Sequence, residues 1–161
     1  MKEIRKQLFE IIQKSKQGTS FNSEKQFSKL ELIVRNLPKE TVELLFNEWC
    51  EIRKEYGIEE KEEFERLHVS NGGIIEGGDD RFYGNFGAWV IAQGEELLNN
   101  FKKYGYEAII EYISSNEISE YNYTYECMEY AFTSYLMEDE MVEINKQLNK
   151  KGGLKTDVNR Y

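Results

Sequence analysis

Apolar residues recur at helical spacing in segment after segment of this 161-residue chain, and no two segments show the polar–apolar alternation of paired strands. Between Lys2 and Lys14, residues Ile4, Leu8, Ile11 and Ile12 form one buried face, and Gly18 is placed to stop that helix. A second helix is expected from Ser23, whose S-x-x-Q spacing to Gln26 matches a capping box, through Phe27, Leu30, Val34 and Leu37. Pro38 forbids its unbroken continuation and suits the first turn of a third helix, where a missing N–H costs nothing. Val42, Leu45, Phe46, Trp49 and Tyr56 make the stripe of that third helix, up to Gly57.

A charge-rich, mostly solvated short helix should follow, then a loop at Asn71 to Gly78. Helical spacing returns with Phe82, Phe86, Trp89, Val90, Leu97 and Phe101, then with Ile109, Ile110 and Ile113. Tyr125, Met128, Phe132, Tyr135, Leu136, Ile144 and Leu148 mark a last helix from Thr124 to Asn149, ended by Gly152 and Gly153. Gly84, Gly87 and Gly94 each cost about 1 kcal/mol relative to alanine inside a helix. Close packing over side-chain-free patches would offset this, with a break near Gly84 as the alternative. The pattern predicts an all-α fold: a single-domain bundle of about six helices over 1–151, with a flexible basic tail at 152–161.

A chain of this length buries about 68–70% of its unfolded surface, so one core suffices without disulfide or metal staples. No apolar run approaches the roughly 18–20 residues a membrane span requires, and charges interrupt the N-terminal segment, so a cytoplasmic protein is expected. Cys50 and Cys127 lack CxxC spacing and read as buried free thiols.

The net charge of −9 is segregated. From Tyr104 to Asn145 there are ten acidic residues and no lysine or arginine, whereas Lys146 to Tyr161 is basic. Such a field repels phosphate backbones, which argues against nucleic-acid binding, and attracts a basic protein. Eight of the eleven tyrosines fall between Tyr104 and Tyr135, within the same interval. Tyrosine supplies contact area at low entropic cost and carboxylates steer a cationic partner, so Tyr112, Glu117, Glu120, Tyr121, Tyr123 and Glu126 are the expected contact residues. The oligomeric state is left open.

Catalytic apparatus is sparse. Asp79 and Asp80, after Gly77 and Gly78 and with Glu76 nearby, have the hard oxygen donors that a divalent cation takes. The same residues suit a positive-φ turn followed by a capped helix start, where the carboxylates face the positive end of the dipole. GGDD near a phenylalanine superficially resembles the diguanylate cyclase signature, but Arg81 intervenes before Phe82 and helical periodicity follows. His68 is the lone histidine, no Walker A or Rossmann fingerprint is present, and no cofactor is expected. Trp89 and Gln93 could line a small-ligand pocket.

The stretch EGGDDRFYGNFGAWVIAQG, Glu76 to Gly94, resembles the bacterial family catalogued as domain of unknown function 4240. The likeness rests on the Gly-Gly and Asp-Asp pairs, Phe86, Trp89 and the run Ile91, Ala92, Gln93, Gly94. It extends to Phe27, Leu37, Pro38 and Phe46 on one side, and to Glu126, Tyr130, Ala131 and Tyr135 on the other. The sequence departs from the family in the spacing around the aspartates and in having Gly87 where arginine is common. The resemblance implies a small, mainly helical bacterial protein and carries no established activity. Together these observations lead to the expectation of a cytosolic bacterial interaction domain, such as an immunity or antitoxin-like inhibitor. The alternative is a metal-assisted hydrolase or phosphoryl-transfer enzyme built on Glu76, Asp79 and Asp80.

Overall fold

The computed structural model describes the backbone of residues 2–58, 80–126 and 128–150, and the side chains of 3–58, 85–126, 128–138 and 144–150. Among these residues all regular structure is helical. The helices are α1 (Lys2–Lys16), α2 (Ser23–Arg35), α3 (Lys39–Tyr56), α4 (Asp80–Gln93), α5 (Glu95–Tyr104), α6 (Tyr106–Ser115), α7 (Glu120–Tyr123) and α8 (Tyr130–Lys150).

That is more than about six, and the extra elements have physical causes. The periodic segment expected to run from Asp80 to Phe101 breaks at Gly94, whose φ of 112° and ψ of 178° are open only to glycine. Gly84 and Gly87 instead lie within α4. At the other end, the chain makes the single turn α7 and a short connection before α8 begins at Tyr130, six residues later than the periodicity suggested. The predicted short helix after Gly57, the Asn71 to Gly78 loop, Glu76, Asp79, His68, Cys127 and the tail at 152–161 lie outside the described residues.

α4 is the hub. Every residue from Phe86 to Gly94 is buried, as a helix surrounded on all sides requires, and α4 touches α1, α3, α5 and α7. α1 also packs on α2 and α3, α8 lies across α2 and α3, and α5 pairs with α6 through Gly105. The expected stripes turn inward. Leu8, Ile11 and Ile12 of α1, Leu30 and Val34 of α2, and Val42, Leu45 and Trp49 of α3 share one core with Phe86, Trp89, Leu97, Phe101, Ile109 and Phe132. Ile144 and Leu148, expected on the inward face of the last helix, are instead exposed.

Local polar signals were redirected by tertiary structure. The N-cap of α2 is Asn22, whose Oδ1 accepts from the Lys25 N–H at 2.9 Å, so Ser23 and Gln26 do not form a capping box. Ser23 is buried: its N–H donates to Asn122 Oδ1 (2.9 Å) and its hydroxyl to the Asn122 carbonyl (2.7 Å). Gln26 is buried too, and its Nε2 donates to the Ala92 carbonyl at 2.7 Å and to Ser15 Oγ at 3.2 Å.

Candidate interaction surface

Two tyrosines of the acidic interval, Tyr112 and Tyr123, meet the C-terminal end of α4 at Trp89 and Gln93. Of the carbonyls at that end, the Gly94 N–H reaches that of Ile91 at 3.1 Å, and the chain then turns away from those of Ala92 and Gln93. Two side chains from the N-terminal helices reach them. Gln26 takes the Ala92 carbonyl, and Lys16 Nζ donates to the Gln93 carbonyl at 2.7 Å, a cation at the negative end of a helix dipole. Lys16 also donates to Tyr112 Oη at 3.1 Å, while Tyr112 donates to Gln93 Oε1 at 3.1 Å and Gln93 Nε2 to the Trp89 carbonyl at 3.2 Å. Burial pushes the Lys16 ammonium below the ordinary lysine range, with Glu96 opposing that shift. Burial, reinforced by Glu96, pushes the Tyr112 phenol up to about 12.

Trp89 and Gln93, considered as a pocket, are thus internally occupied. Trp89 is 1% exposed, stacks on Phe86 at 5.8 Å and meets Tyr112 and Tyr123 edge-on at 6.2 and 6.3 Å. Phe21, held at a φ of 63°, closes the cluster edge-on against Tyr112 at 5.8 Å.

The six expected contact residues divide into two groups. Tyr123 is buried, and Tyr112 turns its hydroxyl inward, so both anchor the surface from beneath. Glu117, Glu120, Tyr121 and Glu126 are exposed. Asn122 ties this corner to α2 through Ser23, and its Nδ2 donates to Ser119 Oγ at 2.8 Å, so the exposed residues are carried on a fixed turn. Glu117 has a φ of 52°. It occupies the left-handed position of a Schellman ending to α6, in which the Ile118 N–H reaches the Ile113 carbonyl at 3.0 Å and the Glu117 N–H the Ser114 carbonyl at 3.2 Å.

Beside this corner, α5 and α6 form a groove of about 460 Å³ whose lining includes Leu97, Ala108, Glu107, Glu111, Tyr104 and Tyr112. Glu107 and Glu111 are exposed and stand one turn apart, a repulsion of about 0.2–0.5 kcal/mol that is offset by the place of Glu107 in the first turn of α6. Sequence reasoning named the interval but not this pair, although its i, i+4 spacing was visible.

Not all ten carboxylates face outward. Glu129 accepts from Trp49 Nε1 at 2.9 Å and pairs with Arg53, and Glu138 pairs with Arg35 at 2.6 Å. Glu107, Glu111, Glu117, Glu120 and Glu126 form no ion pair among the described residues.

Of the alternative carboxylate site, Glu76 and Asp79 lie outside the described residues, and Asp80 is seen only as the first backbone position of α4. Cys50 is a half-buried free thiol on α3, raised above the usual thiol range by burial. No helix among the described residues is long and apolar enough to cross a membrane.

No protein-family model matches the chain, and no curated protein or solved structure does either. The likeness to domain of unknown function 4240 therefore rests on the residues quoted for it above.

Proposed function

We propose that this chain is a cytoplasmic bacterial protein-interaction domain that binds a basic protein partner, in the manner of an immunity or antitoxin-like inhibitor. Its contact surface is the α5–α6 groove together with the corner formed by Glu117, Glu120 and Tyr121. The observation that carries this reading is the set of exposed carboxylates without described cationic partners, around a groove with tyrosines, on a turn anchored by Asn122 and Tyr123. Glu107 lies in the first turn of α6, where the helix dipole favours a carboxylate, while Glu111, one turn on, gains no such support and adds to the negative field that a basic partner would meet. Pre-anchoring supports the same reading, because a surface that is already ordered loses little entropy on binding.

The test is paired affinity capture from the native bacterium with the wild type and with Glu107→Lys/Glu111→Lys. Both substitutions are on exposed positions and should leave the fold intact. A basic protein retained by the wild type at low salt, released at high salt and absent from the variant is the expected result. Retention that neither salt nor the double reversal weakens would rule the proposal out.

A further inference from the structure

The walls of the α5–α6 groove are helical faces. On α5 the lining residues Leu97, Asn100 and Tyr104 recur at spacings of three and four, and on α6 Ala108, Glu111 and Ser115 do the same. The runs 97–104 and 108–115 are each two turns long, about 10–11 Å at 1.5 Å per residue. Leu97 is buried and Ala108 half-buried, whereas Asn100, Tyr104, Glu107 and Glu111 are exposed, so the rim is polar and the depth apolar. By helical period Glu107 and Glu111 fall on the edge of this α6 face away from Tyr112, whose hydroxyl is turned inward to Lys16 and Gln93. No lysine or arginine lines the groove among the described residues. Lys103 lies over the Tyr104 ring at 4.9 Å.

We infer that the groove takes an amphipathic helix of the basic partner, laid along α5 and α6 as a third helix. This rests on the contact surface proposed above and names the element that enters it. Backbone chemistry separates a helix from a strand. An added strand needs a sheet edge whose N–H and C=O groups pair with its own, whereas the backbone groups of α5 and α6 are engaged within their helices. A helix arrives with its backbone already paired and needs only complementary side chains. Ala108 presents a single methyl group at the wall, which lets the incoming helix approach closely. Charge then fixes what that helix carries. Glu107 and Glu111 are one turn apart, so lysines or arginines at i and i+4 along one edge of the incoming helix meet both carboxylates. Its opposite edge meets Asn100 and needs no charge. With walls only two turns long the contact falls below the roughly 1,200 Å² of a standard complex, so this element alone binds weakly, in about the micromolar range.

Selection of binders to the full chain from a random library of peptides about 16 residues long, enough for four helical turns, tests the inference. The selected peptides are expected to share lysine or arginine at spacings of three or four beside apolar residues. Bound to the chain, they should show helical carbon chemical shifts and move the amide signals of Leu97, Ala108 and Glu111. Two variants divide charge from shape: Glu107→Lys/Glu111→Lys reverses the rim, and Ala108→Leu fills the groove at unchanged charge. Each should weaken the selected peptides at least about tenfold, with thermal melting showing that the fold is kept. Basic peptides that are extended or lack helical spacing, or that bind Ala108→Leu as well as the wild type, would overturn the inference and leave the basic-partner reading standing. Peptides without lysine or arginine would overturn both. The absence of any binder would overturn the inference, and the capture experiment above decides the basic-partner reading separately.

Discussion

Two regions use the same residue types to opposite ends. At the end of α4, Lys16, Gln26, Gln93 and Tyr112 form a half-buried to buried network in which each polar side chain has a partner. On the neighbouring groove and corner, Glu107, Glu111, Glu117, Glu120 and Tyr121 are exposed, and the carboxylates form no ion pair among the described residues. The first arrangement satisfies helix-end carbonyls whose burial without a partner would cost about 1–3 kcal/mol each. In the second, Glu107, in the first turn of α6, has a favourable place in its own helix, and the other carboxylates are left to solvent. Tyr112 belongs to both, with its ring on the groove and its hydroxyl in the network. One region therefore holds the shape that the other presents, and substitutions should separate stability from binding along that boundary.

The largest expected effect lies on the buried side. Trp89→Ala removes a ring in contact with Phe86, Tyr112 and Tyr123 and should cost about 3–5 kcal/mol, seen as a fall in the urea midpoint. A loss below about 1 kcal/mol would mean that the Trp89 cluster closes over the truncation and does not hold the shape of the surface above it. Glu107→Lys/Glu111→Lys should instead leave the midpoint nearly unchanged while removing partner capture.

The boundary between these regions was only partly legible in the sequence. Apolar period gave the faces of α1, α2 and α3 because each has one buried side, and such a side repeats every 3.6 residues. It failed at Gly94, where two helices meet in phase and the stripe from Phe86 to Phe101 continues across the break. Ser23 and Gln26 match a local capping pattern, yet their partners, Asn122 and Ala92, are 99 and 66 residues away. No local rule reaches that far. Likewise, the charge count located the acidic interval but could not divide Tyr123, which is buried, from Tyr121, which is 63% exposed two residues earlier.

A pH series sharpens the comparison at Tyr112. Its folded-state pKa is raised to about 12 from 10.0, so its contribution to stability is complete below pH 10 and lost as pH rises through about 12. Lys16 runs the other way: its folded value lies below 10.5, so its contribution is present above 10.5 and lost as pH falls through the lowered value. Between pH 10 and 12 the wild type should therefore lose more stability than Tyr112→Phe, by about 1–2 kcal/mol once screening at the partly exposed ring is allowed for. Parallel denaturant titrations of the two proteins measure the difference. Identical slopes would place the Tyr112 hydroxyl in solvent and detach it from the network.

The smallest effect is the most discriminating, because it moves stability and binding in opposite directions. Glu117 sits at a φ of 52° in the Schellman ending of α6, a position that glycine takes without steric penalty and a side-chain-bearing residue takes at a cost of about 1–2 kcal/mol. Glu117→Gly relieves that cost, but it also frees the unfolded chain, which offsets roughly 0.5–1 kcal/mol, so a net gain of about 0.5–1 kcal/mol is expected in thermal unfolding. The carboxylate is lost from the corner at the same time. Its removal from a contact surface rim should weaken salt-sensitive capture by a few-fold, mainly through slower association. A variant that is more stable and binds less well identifies Glu117 as a residue kept at the turn for its charge. A variant that is more stable and binds equally well moves the contact surface off the corner and leaves it to the α5–α6 groove alone.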